Sequence, residues 1–490
     1  FARVFGSSVG RKRGALGILF ACALLAALIW ALHSLSNMPT QPTTHGGAVD
    51  LTVSVNPANT TYAVSPHFLG FGMETGDVCK LIDLAHQNPA LLRLFTNLGP
   101  GTLRVGGNTL DTTTWAPDGA GHCSSFATTM TQATVDAFFA FAQRAGWKVT
   151  WGLTLKHYDP TLYAAEGAYI LQRWRDKVLS LEYGNEPDLY HIPYAKFLAE
   201  WRSYNDLIQT TNPQTTISGP ATAGSGWITP FLSDEGAHAA LVSSHFYITC
   251  ATTHPTIADL LSAASISREV SSFDAVAQPA QRAHLPYVIN ETNNYCSGGM
   301  PGVSTTFASA LWGTDFLFTA LEQGAAGVNL QGVPNDAGGN WPPHLNYYSP
   351  INSDGSATPL YYAMLLFHEA AATGRVSPVT LTPSGSSRLN VSAHASVGAD
   401  SRLRIILINK DLTHSARVRL DTSRSYGAAS VIWLRAPAIT ATTSVTLGGS
   451  PVASDGGWSP ARGQPLAVVG PLSTIALPAG SAAVITYAPH

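Results

Sequence analysis

The chain has 490 residues, 45% hydrophobic and only 12% charged, with a net charge of -3. That is enough apolar material for one large domain plus an accessory module, and it excludes wholesale disorder. No basic stripe marks the body of the chain, so neither nucleic acid nor a heavily sulfated polyanion is expected as a partner.

The first element is a leader. Arg3, Arg11, Lys12 and Arg13 precede GALGILFACALLAALIWAL, residues 14 to 32, which carries no charge. A basic start followed by an apolar stretch near bilayer length reads as an export signal or as an uncleaved anchor with its basic end inside. Residues 33 to 49 are a polar Pro/Thr/Gly tether. Residues 1–49 are therefore expected to be leader and tether, with the body exported: secreted, periplasmic or membrane-anchored, touching a membrane only through this segment. Cys22 lies in the apolar stretch, which leaves Cys79, Cys123, Cys250 and Cys296 for an oxidising compartment. Four cysteines allow three pairings.

LTVSVN at 51 to 56 is an early strand (residues 50–65) that falls ahead of the main pattern and is expected to pair with a later β-module. From residue 66 to 375 one rhythm repeats. β-rich runs occur at 67–75, 101–108, 147–155, 178–186, 215–222, 240–248, 286–292 and 324–332, and helical patterns separate most of them. In PYAKFLAEWRSYNDLIQTT, for example, Tyr194, Phe197, Leu198, Trp201, Tyr204 and Leu207 keep helical spacing on one face. TQATVDAFFAFAQRAG starts at a threonine cap and ends on glycine. Eight strands alternating with helices predict an α/β fold, a (β/α)8 TIM barrel. From residue 376 to 490 the chain becomes Ser/Thr/Gly/Pro-rich with alternating runs such as RLRIILIN, which predicts a C-terminal all-β, sandwich-like domain.

Active sites of such barrels form where strand ends meet the following loops. Glu186 in LEYGNEPD ends the fourth run and Glu291 in VINETNNYCSGG ends the seventh. Two carboxylates across a barrel mouth are the minimum equipment for glycoside cleavage. Asn185 is placed to bind a substrate hydroxyl. Arg104, ending the second run, is placed to keep a nucleophilic carboxylate ionised. His245 and Tyr247 end the sixth run and Glu74 the first, where each touches substrate, nucleophile or a neighbouring ion. Trp115, Tyr158, Trp227, Tyr347 and Tyr348 are candidate rim aromatics. The histidines show no HExxH and the cysteines no paired Cys-x-x-Cys, so neither metal nor cofactor is expected.

The motifs GNEP at strand four and ET at strand seven resemble those of clan A glycoside hydrolases. ETNNYCSGGMPGVSTTFASALWGTDFLF, GAAGVNLQG, LGFGMET, TLRVGGNT, SSHFY, YYSPI and LPAGSAAVITY resemble glycoside hydrolase family 79, the heparanase and β-glucuronidase family. The resemblance runs from about residue 50 to the end. It implies a retaining hydrolase with Glu186 as acid/base and Glu291 as nucleophile. It further implies that the uronate carboxylate meets the loop of Cys296, Ser297, Gly298 and Gly299 and the ring of Tyr348, and that Glu74, Asn108 and Asn185 hold sugar hydroxyls. Many relatives place a tyrosine where this chain has Cys296; a thiol donates weakly and a disulfide not at all. The expected function is thus exo-acting β-glucuronidase on terminal β-linked glucuronic or 4-O-methylglucuronic acid, with a carbohydrate as the partner. The alternatives are a retaining β-glycosidase for a neutral sugar and a non-catalytic carbohydrate-binding surface protein. Barrel topology sets neighbouring loops side by side, which favours Cys79 with Cys123 and Cys250 with Cys296. The second bridge would fix the YCSGG loop beside the nucleophile.

Overall fold

The protein's structure is a computed structural model that describes residues 48–124, 126–334, 346–385 and 388–490. The expected leader, tether and Cys22 lie outside these residues up to residue 47. Among the described residues no helix is long and apolar enough to cross a membrane.

Eight parallel strands close into a barrel: Leu69–Glu74, Thr102–Gly106, Lys148–Leu153, Val178–Tyr183, Ile217–Thr222, Leu241–Cys250, Tyr287–Cys296 and Gly327–Gln331. They are numbered one to eight below, and strand eight closes on strand one. Their outer faces are apolar and pack under a helical layer, as in any sheet covered by crossover helices. The helix Gln132–Ala145 opens on Thr131, whose hydroxyl accepts from the N–H of Thr134, and stops at the left-handed Gly146. In the helix Tyr194–Thr211 the buried face runs Phe197, Trp201, Tyr204 and Ile208, while Leu207 is 40% exposed. The stripe therefore continues one residue later than its sequence spacing indicated.

The inner face is polar toward the mouth. Gly70 of strand one is required there, because a Cβ would stand 1.7 Å from Oδ1 of Asn329 on strand eight. The rim aromatics divide. Trp115 is 4% exposed in a short strand pair, and Trp227 packs on Phe197 with ring centroids 5.1 Å apart, so both are packing residues. Tyr158 is 43% exposed.

Two all-β sheets complete the fold. The early strand Leu51–Val55 pairs antiparallel with Val379–Pro383 and parallel with Ala416–Asp421. The second sheet is built on Val391–Gly398, Leu403–Asn409, Ser481–Ala488 and Ala428–Arg435. A buried ion cluster joins this module to the barrel. Asp315, on the barrel helix Phe307–Glu322, receives Lys410 Nζ and Ser392 Oγ on one oxygen and His394 Nε2, at 2.8 Å, on the other. The second nitrogen of His394, Nδ1, lies 2.8 Å from Glu322. Burial opposes a charged imidazole, but the flanking carboxylates of Glu322 and Asp315 outweigh it and raise the pKa of His394 to about 10.

A pKa raised on folding stabilises fully below the unfolded value of about 6.5 and is lost as pH climbs toward about 10. The wild-type denaturant midpoint should therefore fall between pH 6.5 and 10 more steeply than that of His394→Gln. Asp315→Asn, which leaves buried Lys410 without its carboxylate, should cost about 3 kcal/mol or more. Parallel midpoint-versus-pH curves for wild type and His394→Gln would show that the cluster does not carry the linkage.

Candidate active site

The centre of the site is Arg104. It is the third residue of strand two, inside the barrel rather than at the strand's end, and it is fully buried. Its Nε and Nη2 donate to one oxygen of Glu182 at 3.1 and 3.0 Å, and its Nη1 donates to Oε2 of Glu291 at 2.7 Å. Nη2 also reaches Oδ1 of Asn185 at 2.9 Å and Nε2 of His245 at 3.3 Å. A guanidinium only donates. Nε2 of His245 therefore accepts, and the ring proton sits on Nδ1, 3.0 Å from Oε1 of Glu186. Burial opposes a second proton on His245, yet Glu291 and Glu186 outweigh it and raise the pKa. That second proton would sit on Nε2 and point at the guanidinium, whose charge opposes it.

Glu182 is the residue the sequence reading missed. It sits in the apolar run VLSLEY, fully buried, with Asn290 donating to its other oxygen. The available signal was parity: Ser180, also polar, shares its inward face.

Glu291 is held from both sides. Tyr247 Oη donates to Oε1 at 2.9 Å while Arg104 holds Oε2. Burial and the carboxylate of Glu291 push the Tyr247 phenol far above its usual range, so it remains a donor. Asn290 and Glu291 both face the interior although they are adjacent. This is possible because the ladder between strands six and seven slips between Ile289 and Glu291, a bulge that re-aims the side chain. His245 and Tyr247 are mid-strand, since strand six runs on to Cys250.

Glu186 is placed differently. Strand four ends at Tyr183, and Glu186 lies three residues on, in the left-handed region at φ 50°, ψ 52°. Its N–H donates to the carbonyl of Ala221 at 2.9 Å. The carboxylate of Asp188 takes the N–H groups of Ala223 and Gly224, both at 3.0 Å, which ties this turn to the loop after strand five. Non-glycine residues in this region are uncommon and concentrate at functional sites.

One oxygen each of Glu186 and Glu291 and one nitrogen of His245 lie within 4.8 Å of one another. Such a set has the donor types of a metal site, but Arg104 already supplies the positive charge on Glu291. The Glu186 side chain is 18% exposed and that of Glu291 10%.

The remaining sequence candidates surround this pair. Glu74 ends strand one, with one oxygen held by the N–H and hydroxyl of Thr109, both at 2.8 Å. Gly107, at φ 71°, makes room, since a Cβ there would stand 2.4 Å from the Glu74 carboxylate. Burial, then the charge of Glu291, lifts the Glu74 pKa to about 7. Asn185 presents its amide nitrogen to Asn108 at 3.4 Å, and Asn108 is exposed at the mouth. Tyr348 is 8% exposed and stacks on Tyr247 at 6.2 Å between ring centroids. Asn293, also missed in the sequence, pins the Tyr348 carbonyl at 3.0 Å.

Cys296 is bonded to Cys250, with Cα atoms 4.3 Å apart, and Cys79 to Cys123, with Cα atoms 5.8 Å apart. Both bridges are the pairs that barrel topology favoured, and Cys296 therefore has no thiol to offer a ligand. Cys250 and Cys296 are the last residues of strands six and seven rather than loop residues, and Cys79 lies in the helix Val78–Gln87.

No protein-family model matches the chain. It is similar to a β-glucuronidase of Neurospora crassa, 26% identical over 282 residues, a stretch covering 48% of this chain and 48% of that protein. The chain thus matches about half the length of that relative. A β-glucuronidase of Aspergillus niger is 25% identical over 403 residues, covering 69% of this chain and 71% of that protein. Among solved structures, a 4-O-α-L-rhamnosyl-β-D-glucuronidase from Fusarium oxysporum superimposes with TM-score 0.73 at 20% identity, over 89% of this chain and all of that one. The GH51 arabinofuranosidase of Xanthomonas axonopodis pv. citri gives 0.66 at 16% identity, over 90% of this chain and 100% of that one. At these identities the structural likeness speaks for the fold, and the sequence likeness agrees with the family 79 resemblance of the motifs.

Arg104→Met should cost about 3–5 kcal/mol, because two buried carboxylates lose their cation. Arg104→Met combined with Glu182→Gln should recover part of the loss. Denaturant midpoints of the single and double variants test this; a deficit that the second substitution leaves unchanged would contradict it.

Proposed function

We propose that the protein is a retaining glycoside hydrolase that releases terminal β-linked glucuronic acid, with Glu291 as nucleophile and Glu186 as acid/base. The observation that carries the reading is that one oxygen of Glu186, just past strand four, and one oxygen of Glu291, inside strand seven, lie within 4.8 Å of each other. Carboxyl separations of about 5–5.5 Å accompany retention, and roughly 6.5–9.5 Å accompany inversion, where a water must fit between.

The chemistry follows from what holds each acid. Glu291, with a donor on each oxygen, is held in place and aimed at the anomeric carbon. Glu186, the more open of the two, protonates the glycosidic oxygen as the bond breaks and a glycosyl ester forms on Glu291. It then takes a proton from the water that cleaves the ester. Nδ1–H of His245 supports Glu186 whenever it is charged.

The acidic sugar is supported by the names of the two curated relatives and by the match of Gly298 and Tyr348 to uronate-binding positions of family 79. Glu74, Asn108 and Asn185 are assigned to hydroxyls. The two disulfides support a working place outside the cytoplasm.

The wild type should hydrolyse 4-nitrophenyl β-glucuronide far faster than the β-glucoside, and proton NMR should show the β-anomer first. Preference for the glucoside would move the substrate to a neutral sugar, and first release of the α-anomer would make Glu291 a base.

The two carboxylates should also separate kinetically. Glu291→Gln should lose at least about 10⁴-fold in kcat on every substrate. Glu186→Gln should lose roughly 10²-fold more on poor leaving groups than on activated aryl glycosides, which need little protonation. Equal losses on both leaving-group types would exchange or remove the assigned roles.

A further inference from the structure

Strands six and seven each have ten residues, whereas the other six barrel strands have five or six. Strand five pairs with strand six only as far as Ser244, and strand eight pairs with strand seven only as far as Thr292. Beyond those points strands six and seven continue alone, in the register His245 to Glu291, Tyr247 to Asn293, Thr249 to Tyr295 and Cys250 to Cys296. Among the described residues, the top of the catalytic wall is thus a parallel two-stranded ribbon with no further strand on either edge.

Such a ribbon is marginal by itself: parallel pairing is the weaker kind, and two strands lack the neighbours that stabilise a sheet. Side chains and a disulfide brace it: Asn293 Nδ2 donates to the carbonyl of Gln331 at 3.0 Å and Ser304 Oγ to Oδ1 of Asn294 at 2.7 Å. Arg268, on the helix Ala263–Arg282, donates to the carbonyl of Ile248 at 2.6 Å. The Cys250–Cys296 bridge closes the tip between directly paired residues.

What hangs from the tip is part of the pocket. After Cys296 the chain turns through Ser297, Gly298 and Gly299, all left-handed at φ 62°, 81° and 83°. The carbonyl of Gly298 accepts from the N–H of Tyr347 at 2.6 Å, which sets the neighbouring Tyr348 ring on Tyr247, the donor to Glu291. The bridge therefore stands at the head of a contact chain that runs through the turn, Tyr348 and Tyr247 to the nucleophile.

We propose that Cys250–Cys296 is a positioning element of the substrate pocket: it holds the free ribbon so that the Ser297–Gly299 turn and Tyr348 grip the bound sugar, and opening it weakens binding. The proposal rests on the mouth being a glycoside-hydrolysing site, but not on which sugar it takes.

The other disulfide provides the control. The two bridges span 46 and 44 residues, so their effects on the unfolded chain are equal and their removal should lower Tm alike. In Cys250→Ala/Cys296→Ala, KM should rise about tenfold, the loss of roughly one hydrogen bond to a charged group, with kcat within about twofold of wild type. Cys79→Ala/Cys123→Ala should keep the wild-type KM. Kinetics are read on whichever aryl β-glycoside the wild type turns over best. A wild type that prefers the glucoside refutes the glucuronidase reading and leaves this test intact.

An unchanged KM in the first variant, or an equal rise in both, overturns the proposal. If the first variant does not fold, native wild type is titrated with dithiothreitol, whose dithiol is oxidised to a cyclic disulfide as each bridge takes up two electrons and two protons. KM should then follow the fraction of Cys250–Cys296 opened, as mapped by differential alkylation and mass spectrometry. A KM that follows the Cys79–Cys123 fraction, or neither, overturns the proposal equally.

Discussion

One buried guanidinium organises the barrel mouth. Arg104 faces two carboxylates, an amide oxygen and an imidazole nitrogen, and none of its surface reaches solvent. Burying a charge this completely is tolerated only when its partners are fixed and complete. Lysine, a point charge on a flexible stem, could not serve several directions at once, whereas the planar fork of arginine can. Glu182 makes the arrangement durable. In the proposed reaction Glu291 loses its charge on becoming an ester, and Arg104 would then face the substrate without a counter-ion. With Glu182 bound through both Nε and Nη2, the guanidinium stays paired in both halves of the cycle. The cluster goes from one excess negative charge to neutrality, and no residue has to move.

The barrel was legible because β-rich runs alternate with helical patterns; all eight strands overlap such runs, although TTISGPAT at strand five is not an apolar one. The two carboxylates were legible because each interrupts or ends a run. Glu182 was not, since a single glutamate in VLSLEY reads as part of the strand until its partner from strand two is known. The pairing of Glu291 with an inward Asn290 was also hidden. Strict alternation would send one of them outward, and only the slip in register allows both to face in. In the helix Tyr194–Thr211 the period of 3.6 leaves Leu207 and Ile208 equally admissible from sequence, and packing chose Ile208. The early strand was readable as a strand and as a partner of the later β-module; which strands it pairs with was not, since they lie more than 300 residues away. The ion cluster around Asp315 was invisible for the same reason, as its members come from a barrel helix and two parts of the β-module.

The two proposed catalytic acids are held by opposite means. Glu291 sits inside a paired strand, where its backbone is fixed by the ladder and its oxygens by Arg104 and Tyr247. Glu186 sits outside any ladder, in a left-handed turn, and depends on ties to strand five and the loop after it: Ala221 on its own N–H, and Ala223 and Gly224 on Asp188. The division suits the two roles. A nucleophile attacks one carbon and gains from rigidity, since a misplacement of about 1 Å can cost 10²-fold. An acid/base must meet a departing alcohol and then a water, so a more open position on a turn is the better one. The sequence GNEPD is the local form of this compromise. Glycine begins the turn, asparagine turns its oxygen back to Arg104, and proline commits the chain to the short helical turn that carries Asp188 to its anchors. The strain at Glu186 is thus held by strands four and five together. A change in the loop after strand five, at Ala223 or Gly224, would act on the proton donor without touching it.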